Sequence, residues 1–253
     1  MPEVQSVSRG EGKCLVVLHA FPLHHDMWRG LQMEGYRILA ADFPGFGVSP
    51  FFPEVNLSQA AQGLHHHLTQ LGIKQPILLA GISMGGYWAL EFIRQYPKQV
   101  DKLALISTRC ALDRPEQKNK RMETAQRVAQ EGLEWYVEGM VKTLLGSTSL
   151  QNRPDLVDWM TQTIREADPR SVAAAQLAMA DRRDQTEFLD RWEGMSRWFV
   201  GLEDPGLNLA EIESQAAKTK SLVVRFAHSG HLIPLESPKA FQTALKEFLT
   251  SHK

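Results

Sequence analysis

A serine between glycines, a carboxylate at a strand end and a histidine behind the next strand are the residues here whose types and order could do chemistry. Gly81-Ile82-Ser83-Met84-Gly85 lies between an apolar run, Ile77 to Ala80, and a stretch of helical periodicity that begins at Gly86. That is the sequence form of a nucleophile elbow, a sharp strand-to-helix turn that holds a serine hydroxyl out over the end of a sheet. Downstream, the apolar run from Trp198 to Leu202 ends in Glu203-Asp204-Pro205, and the run from Ser221 to Phe226 leads into Ala227-His228-Ser229-Gly230-His231. A serine hydroxyl is a poor nucleophile at neutral pH, and an imidazole with a pKa near 7 can take its proton and later return it to a leaving group. A carboxylate fixes the imidazole tautomer and stabilises the imidazolium. The chemistry of Ser83, His231 and Asp204 would be acyl transfer to water. Glu203 sits next to Asp204, so a rotated loop could present it instead.

These groups need elements to hold them. Cys14 to Leu18 and Arg37 to Ala41 read as strands, the first running into a tight turn at His19-Ala20-Phe21-Pro22. The second leads to Asp42-Phe43-Pro44-Gly45-Phe46-Gly47, which lacks the third glycine and helix of a nucleotide loop and reads as a structural loop. Asn56 looks like an N-cap for a helix whose apolar face is Leu57, Ala60, Ala61, Leu64, Leu68 and Leu71. Its His65, His66 and His67 are consecutive, so their directions diverge and they cannot converge on a metal. Strand and helix signals alternate to Ile106, as a mostly parallel α/β sheet demands. From 109 to 185 the rhythm stops. Helical patterns run from about Pro115 to Glu131, Leu133 to Leu145, Pro154 to Glu166 and Pro169 to Met179, each flanked by turn formers or proline. The expected organisation is a core of 1–108 and 186–253 with a helical cap, 109–185, inserted in it. Trp135, Met140 and Trp159 are candidates for its substrate-facing side.

Together these residues resemble the α/β-hydrolase superfamily over nearly the whole chain. Within it they look most like the esterase and 3-oxoadipate enol-lactonase branch, through Phe21-Pro22-Leu23, Met27-Trp28, Ser83-Met84-Gly85-Gly86 and Gly230-His231. The resemblance implies Ser83 as nucleophile, His231 as general base and acid, Asp204 as orienting carboxylate, and the backbone N–H groups of Phe21 and Met84 as an oxyanion hole. It implies no cofactor and no metal, and a small to medium carboxylic ester or lactone as substrate. Hydrolysis of carbon–carbon bonds in ring-cleavage products, cleavage of carrier-protein methyl esters and slow turnover of a sensed ligand remain open. One departure stands out: Ala20 replaces the glycine usual before the oxyanion residue.

Composition narrows the class. The 253 residues are 43% apolar with a formal net charge of −1, so no preference for nucleic acid or an anionic membrane follows. Basic and acidic residues balance over 109–185, although Arg114, Lys118, Lys120, Arg121 and Arg127 outnumber Glu116 and Glu123 locally, a cluster that an acidic partner would require. No basic region followed by an apolar stretch opens the chain, and no run approaches a membrane span, so a cytoplasmic enzyme is expected. Cys14 and Cys110 fall a strand length apart in a parallel sheet and are not expected to pair. Homodimerisation is left open.

Overall fold

The continuous apolar run Ile77–Ile82 is buried along its whole length, which is what a strand covered on both faces by helices requires. A computed structural model describes residues 1–251 and places this strand at the centre of a seven-stranded sheet. In chain order the elements before the insertion are β1 (Ser6–Arg9), β2 (Lys13–Leu18), β3 (Tyr36–Ala41), α1 (Leu57–Gln70), β4 (Ile77–Ile82), α2 (Met84–Gln95) and β5 (Val100–Ile106). The insertion carries α3 (Pro115–Glu131), α4 (Glu134–Leu144), α5 (Ser147–Asn152), α6 (Pro154–Glu166) and α7 (Pro169–Ala180), and α8 (Thr186–Arg191) follows its end. The chain then returns through β6 (Met195–Gly201), α9 (Leu209–Lys218), β7 (Leu222–Phe226), α10 (Ile233–Glu236) and α11 (Pro238–Thr250).

Strand order is β1-β3-β2-β4-β5-β6-β7, and every neighbouring pair is parallel except β1 with β3. This is the α/β-hydrolase fold expected from the sequence, with β1 an additional antiparallel edge. Alternate side chains of the strands feed two cores. Val16, Leu18, Leu79, Leu103 and Leu105 pack with α1, α2 and α9, whereas Leu15, Val17, Leu78, Ala104 and Ile106 pack with α11 and with Met27 and Trp28 of a short 3-10 turn. Helix α1 begins with a reciprocal Asn56–Gln59 capping box and buries Leu57, Ala60, Ala61, Leu64 and Leu68. Its three histidines diverge: His65 stacks on Tyr96, His67 bonds Ser6, and His66 faces solvent.

The inserted helices pack as two leaves, α3 with α7 and α4 with α6. Val128, Val172, Ala175 and Met179 of α3 and α7 extend the first core, and Val137, Val141, Leu156, Met160 and Ile164 of α4 and α6 extend the second. The two ends of the insertion meet at a neck, where Gln185 N–H donates to the Cys110 carbonyl and the Gln185 amide donates to buried Glu91 of α2 at 2.7 Å. Asp113 ties the neck to the first leaf. Burial alone would raise its pKa, but hydrogen bonds and charges from Arg182 and Arg121 outweigh this and hold the carboxyl well below the usual range. Among the described residues no helix is long and apolar enough to cross a membrane, and both cysteines are free.

The elbow requires glycine for a steric reason. A Cβ on Gly85 would lie 2.3 Å from the Leu18 carbonyl oxygen, and one on Gly81 would lie 2.3 Å from that of Gly85. Because these obstacles are backbone, they cannot rotate away. Gly85→Ala is therefore expected to lower stability by about 1 to 3 kcal/mol through overpacking between β2 and α2; an unchanged urea midpoint would contradict it.

Candidate active site

Ser83 follows β4 directly and adopts φ 55° and ψ −117°, a conformation that costs a non-glycine residue on the order of 1–3 kcal/mol. Neighbouring groups enforce it. Its N–H donates to the Ile106 carbonyl at 2.9 Å, and its carbonyl accepts from the N–H groups of Gly86 and Tyr87 and from the Thr108 hydroxyl at 2.9 Å. Thr108, just after β5, thus supplies the hydroxyl that fastens the elbow.

Asp204 and His231 come together beyond the ends of β6 and β7. Asp204 Oδ2 lies 2.5 Å from His231 Nδ1, and Asp204 Oδ1 accepts the Gly206 N–H at 2.8 Å, which closes the turn that aims the carboxylate. Burial opposes a charge on the imidazole, but the charge and hydrogen bond of Asp204, with the charge of Glu236 behind them, raise the His231 pKa above its ordinary value. Nδ1 donates to the carboxylate, so in the neutral ring Nε2 carries the lone pair. Ser83, Asp204 and His231 all follow the carboxyl ends of parallel strands, the edge where open α/β sheets bind ligands.

Glu203, the competing carboxylate, points elsewhere. It accepts the Thr148 N–H at 2.7 Å, the Thr148 hydroxyl at 2.5 Å and the Ser147 hydroxyl at 3.1 Å. These bonds, led by that from the Thr148 side chain, lower its pKa and spend it on the first turn of α5.

Phe21 and Met84 follow adjacent strands, and a Cβ on Gly85 would lie 2.3 Å from the Leu18 carbonyl oxygen and 2.7 Å from that of His19. As the first residue of α2, Met84 has no intrahelical carbonyl for its N–H. Among the described residues no protein acceptor takes the Phe21 N–H either. The turn that carries Phe21 is pinned by His19, which is wholly buried. Phe43 N–H donates to His19 Nε2 at 2.9 Å, so the proton resides on Nδ1 and is donated to the Ala20 carbonyl at 2.9 Å. Burial lowers the His19 pKa against the opposing charge of Asp42 and keeps the ring neutral. Ala20 is held at its N–H as well, by Met27 Sδ, so its extra methyl is accommodated in a turn fixed on both sides.

Asp42 has the same kind of task one loop further on. Its buried carboxylate accepts the His25 N–H at 2.6 Å, the Val48 N–H at 2.9 Å and a hydrogen bond from His25 Nδ1 at 2.6 Å. Sequence reasoning gave neither His19 nor Asp42 a role. A polar residue directly after each buried strand, His19 after β2 and Asp42 after β3, is the signal that would have found them.

The three candidate contact residues of the insertion do not share one wall. Trp135 packs on the first core with Arg127 over its ring at 3.9 Å, and Trp159 packs on the second with Arg29 over its ring at 4.8 Å. Met140 is the one of the three that packs against both cores. The basic cluster of α3 is partly spent internally, since Arg121 turns to Asp113 and Gln176 while Arg127 pairs with Glu131. Among the described residues no cluster of His, Cys, Asp or Glu is arranged to hold a metal ion.

Residues 15–244 match the model of the alpha/beta hydrolase family. The malate-bound structure of a thermophilic esterase from Thermogutta terrifontis superposes with a TM-score of 0.90 at 32% identity, covering 97% of this chain and 92% of the esterase. An enol-lactonase from Burkholderia xenovorans LB400 superposes with a TM-score of 0.89 at 17% identity over 98% of this chain and 96% of its own, a likeness of fold. Lipase 1 of Psychrobacter immobilis is 31% identical over 101 residues, which span 38% of this chain and 32% of the lipase.

The pinning of the turn that carries Phe21 is directly testable. His19→Phe keeps an aromatic ring but leaves the buried Phe43 N–H without its acceptor, an expected loss of about 1–3 kcal/mol in urea unfolding. An unchanged midpoint would show that His19 does not hold the turn.

Proposed function

Because this chain belongs to the alpha/beta hydrolase family, we propose that it is a serine hydrolase cleaving small to medium carboxylic esters or lactones through an acyl-enzyme. The observation that carries the reading is the 2.5 Å pair of Asp204 with His231, on the same sheet edge as the strained Ser83 elbow. Supporting it are the esterase likeness over nearly the full chain and the unengaged N–H groups of Phe21 and Met84.

The proposed mechanism uses these residues in turn. His231 Nε2 takes the Ser83 proton as Oγ attacks the carbonyl carbon, and Asp204 stabilises the imidazolium. The oxyanion of the tetrahedral intermediate accepts hydrogen bonds from Phe21 and Met84, with about 3 to 4 kcal/mol lost when one such donor is removed. Collapse expels the alcohol, which receives the proton from His231. Water then repeats the sequence on the acyl-enzyme and releases the acid. The inserted helices serve as a cap that shields the acyl group from bulk water, with Met140 at the join of its leaves as the contact residue. The partial neutralisation of the basic cluster on α3 favours a free small molecule over an acidic carrier protein.

A panel of nitrophenyl esters from acetate to dodecanoate tests this. Wild type should turn over most rapidly at the short-chain end, and Ser83→Ala should lose on the order of 10⁴ to 10⁶ in kcat while remaining folded. Comparable turnover by the mutant would remove the nucleophile assignment.

The two neighbouring carboxylates should separate cleanly. Asp204→Asn is expected to reduce kcat by on the order of 10⁴, whereas Glu203→Gln should keep most of the rate. The raised His231 pKa predicts that kcat/KM rises with pH, since the base must be neutral, with a midpoint above the ordinary histidine value near 6.5. A midpoint below that value, or a Glu203→Gln variant more damaged than Asp204→Asn, would contradict the assignment.

A further inference from the structure

The loop that carries His231 is joined to the insertion by a second carboxylate. Glu236, at the end of α10, accepts three backbone N–H groups: Gly146 at 2.8 Å and Gly230 at 3.0 Å on Oε2, and Leu232 at 2.9 Å on Oε1. Gly230 and Leu232 flank His231, while Gly146 opens α5. His231 itself donates its N–H to the Leu144 carbonyl at the end of α4. The two segments pass too closely here for any side chain, because a Cβ on Gly230 would lie 2.2 Å from Gly146 N, and one on Gly146 would lie 2.6 Å from Gly230 N. The imidazole is thus held from both ends, by Asp204 at its ring and by main-chain bonds to the insertion at its backbone.

We infer that Glu236 is a positioning residue for His231, buckling the histidine loop to the α4–α5 turn of the insertion so that base and cap form one rigid body. Resting as it does on the serine-hydrolase reading, the proposal adds a residue that acts through the base without touching substrate. It also assigns mobility: the seam at Leu144 to Gly146 cannot part without breaking the bonds that hold the base, so any opening of the cap for substrate falls to the α3–α7 leaf. The charged groups around the seam are few. Asp204 and Glu236 face His231, Arg153 at the start of α6 faces Glu236, and Glu203 with exposed His228 lies on the α5 side. Loss of the Glu236 charge removes one of the influences that raise the His231 pKa, so its direction is downward.

The test compares Glu236→Gln, Glu236→Asp, Glu203→Gln and Ser83→Ala by ester kinetics, with proton NMR titration of the His231 ring in each folded variant. Glu236→Gln retains one acceptor oxygen and turns an amide N–H toward a backbone donor. It should lower kcat by on the order of 10- to 100-fold, the range seen when outer partners that orient a reactive group are lost, with KM little changed. Its activity midpoint and ring titration should both move to lower pH. Glu236→Asp keeps the charge, so it should restore the titration and part of the rate. Glu203→Gln loosens α5 but leaves Gly230 and Leu232 held, so it should move neither titration nor midpoint. Wild-type kcat and titration in Glu236→Gln, with Ser83→Ala inactive, would overturn the positioning role and leave the serine-hydrolase reading standing. Turnover by Ser83→Ala would overturn that reading instead, and the ring titration would still decide whether Glu236 sets the state of His231. Should Glu236→Gln not fold, the shorter reach of Glu236→Asp still predicts a kcat loss with an unmoved titration, and wild-type kcat there would overturn the role.

Discussion

The close passage of β2, β4 and α2 at the elbow is the constraint on which the rest of the site depends. Ser83 keeps its strained backbone because Ile106 holds its N–H, Thr108 holds its carbonyl, and glycine at 81 and 85 lets backbone meet backbone. The same passage brings the start of α2 against the turn after β2, where Gly85 lies close to the Leu18 and His19 carbonyls. Loosening this contact would therefore disturb Ser83 and the turn that carries Phe21 together. Strain of on the order of 1 to 3 kcal/mol is small beside the burial available to a sheet covered on both faces, so the fold can hold it.

Around that point the molecule repeats one device, a buried polar side chain that satisfies backbone groups of a loop. His19 locks the turn before Phe21, Asp42 locks the loop after β3, Asp204 closes its own turn while holding His231, and Glu236 spans three amides. Loops beyond strand ends have no ladder to satisfy their N–H and C=O groups, and leaving such a group buried and unpaired is expensive. Each of these residues removes such a cost, and in doing so gives a loop one conformation. Rigidity of this kind is what acyl transfer needs, because oxyanion donors and a general base act only over hydrogen-bonding distances.

Much of this was legible in the residues. Long buried strands announced themselves as apolar runs, helices α3, α6 and α7 as periodic segments opened by proline, and the elbow as a glycine pattern between a strand and a helix. Weaker signals were lost. The edge strand Ser6–Arg9 is short and only partly buried, so it has little apolar pattern to show, and the short helices α5 and α8 bury only Ser149 and Leu189. The choice between Glu203 and Asp204 depends on how a turn rotates two adjacent carboxylates. The roles of His19, Asp42 and Glu236 arise from side chain to backbone bonds, which leave no periodicity. Trp135 and Trp159 had helical spacing in common but fall in opposite leaves, since spacing within a helix does not report which leaf the helix joins.

The most direct test of the central claim is to catch the acyl group in transit. Rapid quenching during turnover of a slowly deacylating ester, followed by digestion and mass-spectrometric peptide mapping, reads which side chain carries it. The account predicts a single acyl adduct on the peptide containing Ser83, formed and discharged at rates that reproduce turnover. An adduct on another residue, or steady turnover with no covalent intermediate when hydrolysis of the acyl-enzyme is the slow step, would contradict it.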